Sequence, residues 1–276
     1  MLRSRQLPIF VTGLAVLFLL GSVPSADADR RSNKRDRTKR AKKQVQTEEE
    51  TWRKAYENYR FGYQWFQQGL LTKAREHLEI ALDLEPNYDE AAYVLSLVHL
   101  ELNDHAAAIR LAERALDRNP FFTEAWNVKG LALARQGRYD EALAAFEAVK
   151  ADISFPTPEI AHFNIGKVLA EMGRCDEAIR HLEKATEINE EFGKAHFLLG
   201  DCCEQVGQVG TARIHLERAA KFLADDPQVH YRLGYVCLNL GDVTCARMHL
   251  DKVRFLSPSS PLAHGARQLL EQIHFR

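Results

Sequence analysis

The sequence predicts an all-α protein, a stack of six helix pairs closed by one further helix, and three columns of residues predict it. Small residues recur at a fixed spacing: Gly62, Ser96 and Gly130 lie 34 apart, as do Gly166, Gly200 and Gly234. Ala74, Ala108, Ala142, Ala178, Ala212 and Ala246 form a column with no exception. Between the two stands a residue suited to positive φ: Gly69, Asn103, Gly137, Gly173, Gly207 or Gly241. Such a period marks supersecondary units that cannot bury their apolar faces alone and so stack on their neighbours.

The first copy, "YRFGYQWFQQGLLTKAREHLEIALDLEPN", has apolar residues at helical spacing on both sides of Gly69. It reads as two helices packed at a small residue facing the alanine column, where anything larger would push them apart. Pro86, Pro120, Pro156 and Pro258 stop the second helices. The units run 55–88, 89–122, 123–158, 159–192, 193–226 and 227–260. Residues 261–275 place Leu262, Ala266, Leu269, Leu270 and Ile273 on one face and read as a cap. Thr47 with Glu50 reads as the capping box that starts the first helix. The interval from Gly130 to Gly166 is 36, so two extra residues enter at "KADISFPTPEIAHFNIG". They should rotate units four to six against units one to three, with Phe155 and Pro156 packed at the bend.

The net charge of −1 hides an asymmetry: residues 1–28 carry +1, residues 29–43 carry +7 and the remainder −9. Residues 1–28 read as an export signal, with Arg3 and Arg5 before an apolar run from Leu7 to Val23 and an Ala26-Asp27-Ala28 cleavage motif. The basic residues behind the run would hold the array in the cytoplasm if the signal stayed uncut, so cleavage or retention as an anchor both stand open. No cysteine precedes Cys175, so the sequence offers no lipoprotein attachment site behind the signal. The expected location is periplasmic, with membrane association open. Residues 29–46 read as a basic disordered linker, either simply solvated or touching an anionic surface such as lipid or cell-wall polymer. Aromatic residues are absent from the basic run, which argues against nucleic acid.

The sequence carries no phosphate loop, metalloprotease motif or nucleophile elbow, and no enzyme, cofactor or metal is expected. His77, His181, His215 and His249 share one repeat position, too far apart from unit to unit for a common metal. Five cysteines lie in the last three units. Cys175 with Cys203 and Cys237 with Cys245 are feasible disulfides, and buried free thiols are the equal alternative.

These columns resemble the tetratricopeptide repeat over about three quarters of the chain. The resemblance implies a right-handed superhelix whose first helices line a concave groove. In each first helix, positions 4, 8 and 11 face the partner helices, and positions 2, 5, 9 and 12 lie a third of a turn away. On that face stand Tyr56, Tyr59, Tyr63 and Phe66, then Tyr93, Leu97 and Leu100, then Asn127 and Leu131. Phe163, Phe197, Tyr231, Tyr235 and Leu238 continue it. An apolar face of that extent is expected to take a protein or peptide segment, unless the curl of the array or pairing of two arrays covers it. Tyr59 and Tyr63 occupy the places where the chaperone-tail clamp of this family has Lys and Asn, so the expected ligand is apolar or aromatic rather than a terminal carboxylate.

Six units, an export signal and a lengthened joint with an aromatic-Pro pair resemble, further, the type IV pilus biogenesis family PilF/PilW/Tgl, the pilotins of the outer-membrane secretin. That resemblance implies a non-enzymatic envelope scaffold that assists secretin assembly. A general periplasmic adaptor is the alternative.

Overall fold

The computed structural model describes residues 26–274, with side chains from 37 to 272. The expected export signal lies, up to residue 25, outside the described residues. Thirteen helices, and no strand, occur among those described.

The chain divides into two compact units, residues 1–52 and 53–276. The first helix, α1, spans Ala26–Gln67 and so contributes to both. Its N-terminal part differs from the disordered linker expected for residues 29–46: the backbone is helical and the side chains from Arg37 to Glu50 are exposed. The physical reason is compositional. The stretch holds nine Lys and Arg and two Gln, with neither Gly nor Pro, and these long straight side chains are good helix formers even where nothing is buried. Thr47 accordingly does not start a helix. It lies inside one, and its hydroxyl donates back to the Lys43 carbonyl at 2.8 Å.

In the second unit, the remainder of α1 pairs with α2 (Leu71–Leu84). Five further pairs follow: α3 (Asp89–Glu101) with α4 (His105–Arg118), α5 (Thr123–Arg135) with α6 (Tyr139–Ala151), α7 (Pro158–Glu171) with α8 (Cys175–Ile188), α9 (Gly193–Gln205) with α10 (Val209–Phe222), and α11 (Pro227–Asn239) with α12 (Val243–Leu256). The last helix, α13, is Pro261–His274. It buries Ala263, Ala266 and Leu270.

Each sequence column has a structural cause. Gly69, Gly137, Gly173, Gly207 and Gly241 take φ of 73–82°, and Asn103 takes 60°. The six column alanines are fully buried. The small residue of the first helix, however, does not face the alanine side chain. A Cβ built on Gly166 would stand 2.7 Å from Leu182 Cγ, and one on Gly200 would stand 2.7 Å from Leu216 Cγ. Gly62, Gly130 and Gly234 meet Leu78, Phe146 and Leu250 in the same way. The alanine's part is to let its own backbone approach, as with the Ala212 carbonyl 3.1 Å from the same built atom at Gly200. Unit two reverses the fit: Ser96 replaces the glycine, and Ala112 stands where the other units have Leu or Phe. Both are fully buried.

First helices of neighbouring units touch: α3 with α5, α5 with α7, α7 with α9, α9 with α11 and α11 with α13. Among the described residues, the backbones of second helices in successive units stay apart. A stack that closes up on one side and fans out on the other curves toward the closed side. The first helices therefore line the inner face of the right-handed superhelix of helix pairs.

The lengthened joint is absorbed locally. Four residues separate α4 from α5 and α8 from α9, whereas six, 152–157, separate α6 from α7. The turn begins as its relatives do. Ser154 N donates to Asp152 Oδ1 at 2.9 Å, as Phe121 N donates to Asn119 Oδ1 at 3.3 Å and Glu191 N to Asn189 Oδ1 at 3.1 Å. Phe155 N then donates to the Asp152 carbonyl at 3.1 Å, matching Phe122 N to Asn119 O at 3.0 Å and Phe192 N to Asn189 O at 3.1 Å. Phe155 thus occupies the ordinary aromatic place, and Pro156 and Thr157 are the extra residues. Pro156 is exposed rather than packed at a bend, and α5 and α7 still touch.

Candidate functional site: the inner face of the array

Aromatic side chains on the inner face do two jobs at once. Tyr59 lies 5.0 Å from Tyr88 between ring centroids, Tyr93 lies 5.2 Å from Phe122, and Phe163 lies 4.8 Å from Phe192. In each case the partner stands 29 residues later, at the residue just before the next first helix. These tilted pairs tie each unit to the entry of its successor, and the geometry is that of favourable aromatic contacts. The partners Tyr88, Phe122 and Phe192 were not among the groove residues expected from sequence. Their signal was a second column, hidden in the loops.

The pairing leaves the rings half-open. Tyr59, Tyr63, Phe66, Tyr93, Leu97, Leu131, Phe163, Phe197, Tyr231 and Tyr235 are partly buried, and Tyr56 is 40% exposed. Tyr56, Tyr59 and Tyr63 run as one row along α1, with centroids 6.4 and 6.2 Å apart. Burial pushes Tyr59 up to about 12, with the Glu90 carboxylate adding to it. Tyr93 likewise rises to about 12 by burial, with Glu124 adding to it, and Tyr88 is raised for the same reason.

Three expected groove residues belong elsewhere. Leu100 and Leu238 are 3% and 9% exposed and join the core, because position 12 of a first helix has turned back toward the partner helix in units two and six. Asn127 accepts a hydrogen bond from Asn164 Nδ2 at 3.0 Å, so it bridges α5 and α7. Tyr231 is also partly committed. Its hydroxyl would stand 2.9 Å from a Cβ built on Gly265, so the ring lies against α13.

Where α5 and α7 meet, a pocket of about 110 Å³ opens on the inner face. Leu131, Ala134, Phe146 and Val168 form its apolar lining, and Arg135, Lys167 and Glu171 supply its charged lining. It can accept one apolar side chain of a bound segment and offers charge to that residue's neighbours.

The cysteines divide between the two expected alternatives, one disulfide and three buried free thiols. Cys237 and Cys245 are joined, with Cα atoms 5.8 Å apart. Cys175 and Cys203 are not bonded. The Cys175 thiol donates to Gln205 Oε1 at 3.3 Å, and Cys202 is its sulfur neighbour. Cys202 and Cys203 are both fully buried on α9, and both lie within electrostatic reach of Cys175 on α8. Burial raises Cys202 to about 12 and Cys203 to about 11, so neither is an activated thiolate. Among the described residues, no three His, Cys, Asp or Glu side chains are grouped to hold a metal, and no helix is long and apolar enough to cross a membrane.

A curved stack of helix pairs with a half-open aromatic inner face is a protein-interaction scaffold. Profiles described as tetratricopeptide repeat match residues 59–121, 93–155 and 157–225, and the chain belongs to the tetratricopeptide-repeat family. Neither profile is that of a catalytic family. Among solved structures it is similar to PilF of Pseudomonas aeruginosa, with a TM-score of 0.70 and 19% identity over 80% of this chain and 99% of that one. It is similar to PilW, described as a widely conserved type IV pilus biogenesis factor, with a TM-score of 0.70 and 21% identity over 76% of this chain and 97% of that one. It is also similar to YrrB, described as a TPR protein with an unusual peptide-binding site, with a TM-score of 0.55 and 20% identity over 69% and 97%. At these identities the likeness is one of fold. No curated protein sequence matches the chain.

Proposed function

We propose that this protein is a non-enzymatic scaffold of the cell envelope that holds a segment of a partner protein on its inner face, and that the partner is a secretin subunit being assembled for type IV pili. The observation that carries the reading is the match of the whole array to PilF and PilW, each covered almost end to end. The six-unit length agrees with it, and an export signal in residues 1–28, as the sequence reads, would agree as well. The half-open tyrosines of α1 and the pocket between α5 and α7 would take apolar and aromatic side chains of the partner. The basic stretch 29–43 would rest against anionic lipid or cell-wall polymer on the periplasmic side, each basic residue contributing about 1 kcal/mol near such a surface.

The test is affinity capture from solubilised envelope of the native bacterium, with mass-spectrometric identification. Tyr56→Ala with Tyr63→Ala removes part of the aromatic row, and Ile214→Ala, on a 54% exposed second-helix site, serves as control. Recovery of a secretin by wild type and by the control, lost in the tyrosine variant, supports both the groove and the pilus role. Recovery of other envelope proteins in the same pattern keeps the groove and replaces the pilus role with that of a general adaptor. Capture indifferent to the tyrosines rejects the groove.

A further inference from the structure

Units four to six contain three histidine pairs that none of the functional reading uses. His162 and His181 bring their Nδ1 atoms to 3.4 Å, His196 and His215 to 3.1 Å, and His230 and His249 to 2.9 Å. Each pair joins the first helix of a unit to its second. The rings lie 5.5, 5.4 and 5.1 Å apart between centroids, and the last two pairs are stacked. One member of each pair, His162, His196 or His230, forms its own column with a spacing of 34.

Two Nδ1 atoms at this distance can share only one proton. In two pairs the donor is fixed by the surroundings. His196 donates its Nε2–H to the Glu190 carbonyl at 3.0 Å, and His230 donates its own to the Ala224 carbonyl at 2.9 Å. A neutral imidazole that donates from Nε2 has a bare Nδ1. His215 and His249 must therefore carry the bridging Nδ1–H. One further proton can enter at the outer nitrogen of His215 or His249 with the bridge intact. Once both rings of a pair are charged, two Nδ1–H groups point at each other and the bridge becomes a repulsion between helices.

We propose that units four to six carry an acid-sensitive latch, in which each helix pair is closed by one proton shared between two histidines and is forced apart when both rings become charged. Units one to three lack it. His77 faces the Asn58 amide oxygen rather than a second imidazole, with Nδ1 to Oδ1 at 3.0 Å. The corresponding places are Ala92 and Leu111 in unit two and Trp126 and Ala145 in unit three.

The surroundings oppose charging. Burial, chiefly, lowers His215 and His249 to about 4, and it lowers the other four as well. His162 and His181 face Lys150, Arg180 and Lys184, offset by Glu147 and Glu177. The middle pair faces Arg218 and Glu190. The last pair faces Lys252 and Arg213, offset by Glu217, Asp225 and Asp226. Histidines held below their unfolded value stay neutral in the fold, so the stability they permit is whole above about pH 6.5 and drains away as pH falls toward 4.

The experiment compares hydrogen exchange, corrected for intrinsic rate, at pH 7.0 and 4.5 in the full chain and in a His181→Gln, His215→Gln, His249→Gln variant. Glutamine can still donate an amide hydrogen to the facing Nδ1 but cannot become charged. Wild type should lose at least about tenfold in protection over residues 159–260 relative to 55–155, and the variant should lose much less. Equal loss in both halves, or the same loss in the variant, overturns the latch. Should the variant fail to fold at pH 7.0, NMR titration of the wild-type histidine ring protons decides. Midpoints for the six rings well below the ordinary histidine value support the latch, and midpoints near about 6.5 reject it.

Discussion

The small residue of each first helix and the large residue opposite should behave as one unit, and Gly200 with Leu216 tests this. Gly200→Ser adds a Cβ that would stand 2.7 Å from Leu216 Cγ and 3.1 Å from the Ala212 carbonyl. Overpacking of this kind costs about 1–3 kcal/mol. Leu216 is fully buried, and Leu216→Ala empties the space for about 2–5 kcal/mol. The double variant recreates the pairing of unit two, Ser96 opposite Ala112. There the serine hydroxyl donates to the carbonyl three residues back, at 2.6 Å, and Phe197 offers the same acceptor to Ser at position 200. The double variant should be more stable than the sum of the single losses by about 1–3 kcal/mol, a coupling typical of residues in direct contact. Urea unfolding followed by far-UV circular dichroism, compared at unchanged slope, measures it. Additivity within about 0.5 kcal/mol would show that the glycine is not there for the leucine, and the reasoning would fail.

Further outcomes follow from single sites. Peptide mapping without reductant should link Cys237 to Cys245 and leave Cys175, Cys202 and Cys203 free, reacting with thiol reagents only on unfolding; a link from Cys175 to Cys203 contradicts the geometry. Reduction of the short loop should cost about 2 kcal/mol. Tyrosinate absorbance should show Tyr59 and Tyr93 ionising near pH 12, later than an ordinary tyrosine. Because the fold keeps them neutral, stability should fall as pH rises above about 10, and a single titration step at that value would refute their burial. Gly173→Ala meets no atom within 4 Å yet sits at φ 74°, so it should cost about 1 kcal/mol through the backbone alone, measured by the same urea assay.

The turn column was legible because positive φ has a chemical signature in Gly and Asn. The spacing of 34 was legible because stacking repeats it. What escaped the sequence were contacts between columns. Tyr88, Phe122 and Phe192 sit in loops, where no helical period marks them, and their roles appear only when they meet Tyr59, Tyr93 and Phe163 across a joint. His181, His215 and His249 were visible as a column, but their partners lie 19 residues upstream on the other helix of the unit. The helix over residues 29–46 was missed because exposed helix and disorder draw on the same charged residues, and burial does not separate them. Leu100 and Leu238 show the limit of reading a face from positions alone: the last turn of a first helix can rotate its stripe into the core.

The joint offers the sharpest separation of fold from function. Phe155 already holds the turn position of Phe122 and Phe192, so removing Pro156 and Thr157 would place it directly before Pro158, as those residues stand directly before α5 and α9. The deletion shortens a loop without removing any fully buried side chain, and the entropic cost of loop length changes by only a few tenths of a kcal/mol. Stability should therefore shift little. The pocket between α5 and α7 should not survive unchanged, because α7 carries Asn164, Lys167, Val168 and Glu171 to it and would start two residues sooner. If the pocket helps to hold the partner, capture by the deletion variant should fall at least about tenfold while its melting temperature stays within a few degrees of wild type. Full capture by a folded deletion variant would mean that the two residues are a spacer and that recognition rests on the tyrosine row of α1.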